Sequence, residues 1–113
     1  MERIWVQPSS PRTTVAYKLE YSPATVDHLD TLTARQRAIV LEAAEVQLTH
    51  EPSVETRNRK AMRADSLAPW ELRAGALRIY YDVEEQPERR VLIRAIGLKE
   101  RNRVRIGGKE FEV

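Results

Sequence analysis

Two neighbouring segments of alternating residues, 76–83 and 90–98, place the strongest constraint on the fold of this chain. In the first segment, apolar and polar positions alternate as Leu77, Ile79, Tyr81 and Val83 against Arg78, Tyr80 and Asp82. A period of two places the two sets on opposite faces of a strand, so one face is predicted to be buried. In the second segment both sets include apolar residues, which is typical of a central strand covered on both faces. The chain is therefore predicted to build a sheet around these two strands.

A strand and a short helix are predicted ahead of this pair. Residues 13–21 alternate in the same way, with β-branched and aromatic residues on one face, and predict a strand. The dipeptide Ser22-Pro23 is typical of an N-cap followed by proline at the first helical position. A short helix carrying Val26 and Leu29 is predicted to run from there to about Leu32.

A longer helix is predicted at 34–48, a segment that contains neither glycine nor proline and follows the N-cap residue Thr33. Its apolar residues form one stripe of Val40, Leu41, Ala44 and Leu48 and a second stripe beside it. The apolar surface of this helix is wider than one sheet face requires. Close packing of small alanine residues and contact with a second protein would both account for that width.

The remaining segments complete an α+β pattern. Residues 53–69 are polar with little periodicity and are predicted to form an irregular loop, and a short strand is predicted at 70–73. Segments 104–106 and 111–113 flank Gly107-Gly108, a pair typical of a tight hairpin turn. The order is β-α-α-β-β-β with a C-terminal hairpin, and helices that precede a run of strands are expected to cover one sheet face.

Length and composition exclude several classes of protein. A chain of 113 residues predicts one domain, here 13–113, after a loose leader at 1–12. The absence of cysteine excludes a disulfide framework and cysteine-based metal sites, and two distant histidines argue against a histidine site. No apolar stretch approaches the ~20 residues of a membrane helix, and no secretory signal is visible, so a cytoplasmic protein with no membrane contact is expected. Phosphate-loop, dinucleotide and nucleophile-elbow motifs are absent.

The charge of the chain is distributed unevenly. Residues 1–56 carry five basic and eight acidic side chains, whereas residues 57–113 carry fourteen basic and nine acidic ones. Fifteen of the nineteen cationic residues are arginine, whose planar fork suits phosphate and carboxylate groups. The basic half favours a polyanion such as nucleic acid, or an acidic protein. A solvated surface with local Glu–Arg pairs is the open alternative.

One group of polar residues indicates chemistry. Alternation places Arg78 and Tyr80 on the sheet face away from the helices, and Arg73 can reach them from the adjoining strand. Four further cations follow the last core strand: Lys99, Arg101, Arg103 and Arg105. Guanidinium groups beside a phenol suit phosphate binding and base stacking. Pairing of Arg78 with Glu71 or Asp82 on a solvated sheet is the alternative interpretation.

An ordered set of motifs over about residues 13–109 resembles the RelE/ParE superfamily of type II toxin–antitoxin toxins. The matching segments are Tyr21-Ser22-Pro23, Leu48-Thr49-His50-Glu51-Pro52, Glu55-Thr56-Arg57-Asn58-Arg59-Lys60, Trp70-Glu71-Leu72-Arg73, Arg78-Ile79-Tyr80-Tyr81-Asp82-Val83 and Ala95-Ile96-Gly97-Leu98-Lys99 followed by Arg101-Asn102. The resemblance implies a RelE-like fold with an antiparallel-rich sheet, and an antitoxin protein that wraps the toxin in a hetero-oligomer.

The resemblance also implies one of two activities. RelE-like members cut mRNA on the ribosome without a metal or cofactor, using the RNA 2′-hydroxyl as nucleophile, whereas ParE-like members inhibit DNA gyrase without catalysis. An inactive homologue that only binds antitoxin is a third alternative. For RNA cleavage, the resemblance assigns Arg78 to the scissile phosphate, Lys99 and Arg101 to phosphate stabilisation, and Glu71 or Lys60 to proton transfer.

The expected RNA-binding residues are Arg57, Arg59, Lys60, Arg63, Arg73, Tyr80, Arg103 and Arg105. The chain departs from the RelE pattern at three of its positions. Pro69 and Glu71 stand where RelE proper has lysines, and Arg105 stands where it has a tyrosine after the basic run.

Overall fold

A computed structural model describes residues 16–112, which form two helices and one seven-stranded sheet. The elements in chain order are β1 (Lys18–Tyr21), α1 (Pro23–Asp30), α2 (Ala34–Leu48), β2 (Arg59–Ala61), β3 (Trp70–Ala74), β4 (Leu77–Glu84), β5 (Arg90–Glu100), β6 (Arg103–Ile106) and β7 (Lys109–Glu112). The predicted leader at 1–12 and the first residues of the predicted strand 13–21 lie outside the described residues. The α+β fold predicted from the sequence is confirmed.

The sheet is antiparallel along β2-β3-β4-β5-β6-β7, and β1 joins it as a parallel partner of β5. β5 is long enough to pair with β4 on one edge and with two short strands on the other. On that second edge, β1 pairs with residues from Arg90 to Ile93 and β6 pairs with residues from Gly97 to Glu100. This arrangement makes β5 the central strand, as its two apolar faces predict.

α2 has the bounds that the sequence predicts. Thr33 caps it through a capping box, in which the Gln36 amide N–H donates to the Thr33 hydroxyl and the Thr33 N–H donates to the Gln36 side chain. Three residues of the predicted stripe, Val40, Ala44 and Leu48, are fully buried against the sheet, whereas its fourth residue, Leu41, is 43% exposed. No helix in residues 16–112 is long and apolar enough to cross a membrane.

α1 is shorter than predicted, and its apolar residue Val26 is exposed whereas Leu29 packs against the core. It ends at Asp30 rather than Leu32, and Val26 is 56% exposed. Thr25 is buried in its place, because its hydroxyl donates to the Ser22 carbonyl at 2.6 Å and is thereby satisfied away from water. The apolar side chain of Val26 faces solvent beside the sheet rather than the core.

The segment 53–69, predicted to be irregular, contains the short strand β2. Arg59, Lys60 and Ala61 pair antiparallel with Leu72, Glu71 and Trp70 of β3. The three residues of β2 are too few to show an alternation that would reveal a strand. β2 forms because the edge of β3 offers unpaired backbone groups.

The sheet face away from the helices is not open, as the alternation alone predicts, but partly covered. A small second core forms there from Ala68, Tyr80, Val104 and Ile106, with Met62 and Ala95 packed against it. Its cover is the loop 62–69 on one side and the β6–β7 hairpin on the other. The hairpin itself is confirmed, with Gly107 and Gly108 in its turn at φ of 58° and 85°, a region that favours glycine.

Candidate functional site

Strand pairing assembles four polar side chains on the face away from the helices. Glu71 of β3 lies directly opposite Tyr80 of β4, and Arg73 lies directly opposite Arg78. Residues opposite one another in antiparallel strands share a face and have neighbouring side chains. We call this group the β3–β4 array. It brings together Arg78, Tyr80 and Arg73 on one face, as the alternation predicts, and adds Glu71.

An open cleft of about 500 Å³ lies over one end of this array. Glu71, Arg73 and Tyr80 line it, and Lys60 reaches it from β2 because Lys60 pairs with Glu71. The loop 62–69 and β7 form its other walls with Met62, Arg63, Asp65, Ser66, Leu67 and Phe111. The cleft therefore combines three cations with two carboxylates and an apolar wall.

Glu71 and Arg73 form an ion pair at the base of the cleft. The Arg73 Nε donates to Glu71 Oε1 at 2.8 Å. The Glu71 side chain is only 8% exposed, whereas that of Arg73 is 46% exposed. Arg73 thus fixes the carboxylate in place while its guanidinium remains in contact with the solvent of the cleft.

Tyr80 supplies a protonated hydroxyl beside this pair. The side chain is fully buried, and its hydroxyl has no hydrogen-bond partner among residues 16–112. Burial, and then the negative charge of Glu71, raise the pKa of Tyr80. The phenol therefore stays neutral at physiological pH and is able to donate a hydrogen bond rather than accept a proton.

Arg78 is half-buried at the edge of the array rather than in the hydrophobic interior. Its Nη1 donates to the carbonyl of Gly75 at 2.7 Å and to that of Leu77 at 2.9 Å. These bonds hold the guanidinium beside Arg73 and close enough to Tyr80 to oppose the rise in its pKa. Arg78 is not part of the cleft wall among the described residues.

The remaining cations proposed from the resemblance are dispersed. Lys99 pairs with Val104 and so lies on the same sheet face as the array. It is two residues beyond Gly97, which is the residue of β5 that pairs with Arg78. Arg101 lies in the β5–β6 turn with a φ of 58°, away from the cleft. Arg57 is exposed in the turn before β2.

Arg103 and Arg105 lie on the opposite face of the sheet from the cleft. Arg105 pairs in register with Leu98, which packs against the helix-side core. Arg103 forms an ion pair with Glu110 at 2.9 Å, and Arg105 forms one with Glu100 at 2.9 Å. Both are engaged in local pairs, the alternative that the charge distribution leaves open.

Arg59 departs furthest from its expected place in an RNA-binding surface. It is only 8% exposed and pairs with Leu72 on the helix side of the sheet. Its guanidinium donates to the carbonyls of Gln47 and Val54 at 2.5 and 3.0 Å. These contacts tie the end of α2 to β2, so the side chain is not available to a ligand in the cleft.

Two apolar residues of the cleft were not identified from the sequence. Leu67, in the loop 62–69, is 43% exposed, and Phe111, in β7, is 39% exposed. Both line the cleft. Phe111 is the single phenylalanine of the chain and alternates with charged residues in the predicted hairpin, which is the signal that marks it. No group of three or more His, Asp or Glu side chains suited to a metal ion occurs in residues 16–112.

Comparisons with known proteins give a match among solved structures. No protein-family model matches the chain, and no curated protein matches it. Among solved structures, the chain is similar to a chain of the toxin–antitoxin complex RelBE2 from Mycobacterium tuberculosis, with 26% sequence identity and a TM-score of 0.63. The match covers 75% of this chain and 100% of that chain. The predicted resemblance to RelE-like toxins is therefore confirmed.

Proposed function

We propose that this chain, which has the fold of a RelE-like toxin, is the toxin of a type II toxin–antitoxin pair and inhibits translation by cutting ribosome-bound mRNA in the cleft. Because the proposed substrate is ribosome-bound mRNA, the proposed site of action is the cytoplasm. Besides the ribosome and its mRNA, the proposed partner is an antitoxin protein, which the similarity to the RelBE2 complex supports.

The β3–β4 array is the observation that carries this proposal. Glu71, Arg73, Arg78 and Tyr80 offer a carboxylate, two guanidinium groups and a neutral phenol on one sheet face. Cleavage by a 2′-hydroxyl needs a proton acceptor, cations for the crowded phosphorane and a proton donor for the leaving oxygen. The array supplies the proton acceptor and the cations, and the solvent of the cleft supplies the proton donor.

The roles follow from the positions of the groups. The Glu71 carboxylate takes the proton of the 2′-hydroxyl, whose oxygen then bonds to phosphorus while the bond from phosphorus to the 5′-oxygen breaks. Arg73 in the cleft wall, supported by Arg78 opposite it in β4, stabilises the added negative charge on the phosphate oxygens, because guanidinium groups match that geometry. The products are a 2′,3′-cyclic phosphate and a free 5′-hydroxyl. Water carries the proton from the Glu71 carboxyl group to the 5′-oxygen.

Mapping of transcript ends tests this function. Induced expression of the chain is expected to arrest growth and to create new 5′ ends in translated mRNA, as seen by primer extension. Arg73→Ala is expected to remove both effects, because it frees Glu71 and deletes a phosphate contact. Arg94→Ala is the matched control, since Arg94 is also an arginine in an ion pair, with Asp82 at 3.2 Å, but lies outside the cleft.

Each alternative predicts a different result. Growth arrest with intact transcripts would overturn RNA cleavage and would point to a target such as gyrase. Absence of any phenotype, with tight antitoxin binding, would identify an inactive homologue. Loss of cleavage in Arg94→Ala as well as in Arg73→Ala would show that folding rather than the cleft is affected.

A further inference from the structure

The cleft continues past Leu67 and Phe111 into a second cavity, and we infer that these two side chains form a stacking platform for a base of single-stranded RNA that passes between the two. This inference rests on the proposed function and extends it. It adds a binding position on the C-terminal hairpin, outside the β3–β4 array.

Register and exposure define the platform. Phe111 of β7 pairs with Val104 of β6, which belongs to the second core, so Phe111 lies on the cleft face of the sheet. Phe111 and Leu67 line the first cleft and also a neighbouring cavity of about 390 Å³. The second cavity extends to His28 of α1 and to Lys109. The two apolar side chains therefore form the shared wall between the cavities.

Cations lie on both sides of this wall. Lys60 and Arg63 line the first cleft, and Lys109 lines the second. None of the three has a carboxylate within 4.0 Å among the described residues, although Asp65 and Asp27 line the same cavities. By contrast, Arg89, Arg90, Arg94, Arg103 and Arg105 are all in ion pairs. The platform is thus flanked by cations that retain capacity for an anion.

The surface presents a cation, then a flat apolar side chain, then a second cation. A nucleic acid strand presents a phosphate, a base and the next phosphate in the same order. Successive phosphates would bind at Arg63 and at Lys109, and the base between them would stack on the Phe111 ring. A duplex keeps its bases stacked inside, so a single strand with unstacked bases is the form that fits. An acidic peptide would satisfy the cations but gains less from a planar aromatic surface.

Binding of a labelled RNA tests the platform with the full chain. The probe is a fluorescent 12-nucleotide single-stranded RNA, and the readout is its anisotropy at low salt. Phe111→Ala is expected to weaken binding by about tenfold, the scale of one lost base–aromatic stack. Phe111→Trp is expected to retain wild-type affinity, because tryptophan offers a larger stacking surface. Val46→Ala is the matched control, since Val46 is an apolar residue of α2 that is 67% exposed outside the cleft.

Salt dependence separates stacking from electrostatics. Phe111→Ala is expected to leave the slope of log affinity against log salt unchanged, whereas Arg63→Ala is expected to reduce it by about 0.7, one phosphate contact with a single strand. A poly-glutamate peptide is expected to bind equally well to the wild type and to Phe111→Ala.

Specific outcomes would overturn the platform. Wild-type affinity in Phe111→Ala, together with weakened binding in Arg63→Ala, would refute the platform and leave the proposed function intact. Equal loss of peptide binding and RNA binding would show that the surface serves a protein partner. If Phe111→Trp also failed to bind RNA, the weak binding of Phe111→Ala would come from damage to the hairpin, and stacking on Phe111 would be refuted as its cause. Absence of wild-type binding to RNA, with no new transcript ends in cells, would refute both.

Discussion

At the scale of single residues, position in the sheet determines what each cation does. Arg59 and Lys60 are neighbours in β2, yet alternation sends them to opposite faces. Arg59 becomes a buried link between β2 and α2, while Lys60 lines the cleft. Residue type alone makes the two equivalent candidates for RNA binding, and only their pairing partners separate them.

Arg59 is therefore expected to act on stability. Arg59→Ala should lower the free energy of unfolding by about 2–4 kcal/mol, because it removes charge-assisted hydrogen bonds from a buried guanidinium to the carbonyls of Gln47 and Val54. Urea denaturation followed by circular dichroism measures the change. Arg57→Ala, at an exposed position two residues away, should change stability by less than about 0.5 kcal/mol. An equal loss in both variants would contradict the structural role of Arg59.

At the scale of elements, α1 completes the edge of β5 where two strands leave a gap. β1 pairs with β5 up to Ile93 and β6 pairs with it from Gly97, so the residues between lack a strand partner on that edge. The Ile96 N–H donates instead to His28 Nδ1 at 3.3 Å, and the Ser22 hydroxyl donates to the Arg94 carbonyl at 3.3 Å. A helix side chain thus substitutes for a strand and links the two parts of the sheet edge.

His28 is expected to make stability depend on pH. Burial lowers the pKa of His28 below its ordinary value of about 6.5, and only the neutral ring accepts from the Ile96 N–H. Between the lowered pKa and about 6.5 the unfolded chain binds more protons than the folded chain. Stability from this group is therefore complete above pH 6.5 and is lost as the pH falls through the folded pKa.

Denaturation midpoints measured across that range test the assignment. His28→Asn keeps an acceptor in the place of Nδ1 but cannot titrate, so its midpoint should fall less than that of the wild type as the pH drops below 6.5. His50→Asn, at the exposed end of α2, should preserve the wild-type profile. A profile unchanged by His28→Asn would refute the role of the ring.

Gly97 is expected to be required for the contact between β5 and β6. A Cβ atom at this position would lie 2.6 Å from Val104 Cγ1, 2.7 Å from Ile106 Cγ1 and 2.9 Å from the Arg105 carbonyl oxygen. Gly97→Ala should therefore destabilise the protein by about 1–3 kcal/mol through overpacking. A Cβ atom at Gly75 would meet no atom within 4 Å. Gly75→Ala should therefore lower stability by about 1–2 kcal/mol, because alanine disfavours the left-handed backbone conformation there, and should leave the second core undisturbed. Thermal unfolding of both variants measures the two losses of stability.

The elements that the sequence predicts correctly are those with local signals. α2 begins at the capping box of Thr33 and ends before Pro52, and both signals lie in the sequence itself. β2 was missed because its three residues become a strand only through the distant edge of β3. The burial of Tyr80 was missed for the same reason, since its cover comes from the loop 62–69 and from β6, neither of which is adjacent in the sequence. Alternation predicts the face of a residue, but not what covers that face.

At the scale of the whole molecule, the sheet divides the basic half of the chain into two populations. Several cations outside the cleft are in ion pairs, as Arg90 is with Glu20 and Glu84. Two cations of the cleft, Lys60 and Arg63, have no carboxylate partner among the described residues, whereas Arg73 is paired with Glu71. The net charge of +2 therefore understates the field that a ligand meets in the cleft.

RNA binding is accordingly expected to depend on where charge is removed rather than on how much. Lys60→Ala/Arg63→Ala and Arg103→Ala/Arg105→Ala each delete two positive charges, so long-range attraction weakens equally in both. The cleft variant should lower the slope of log affinity against log salt by about 1.4, two phosphate contacts with a single strand, whereas the hairpin variant should retain the wild-type slope. Anisotropy titrations of one single-stranded RNA over a series of salt concentrations give both slopes. If the two variants lost equal slope, the strand would be held by the overall charge of the chain, and the cleft would have no special part in binding it.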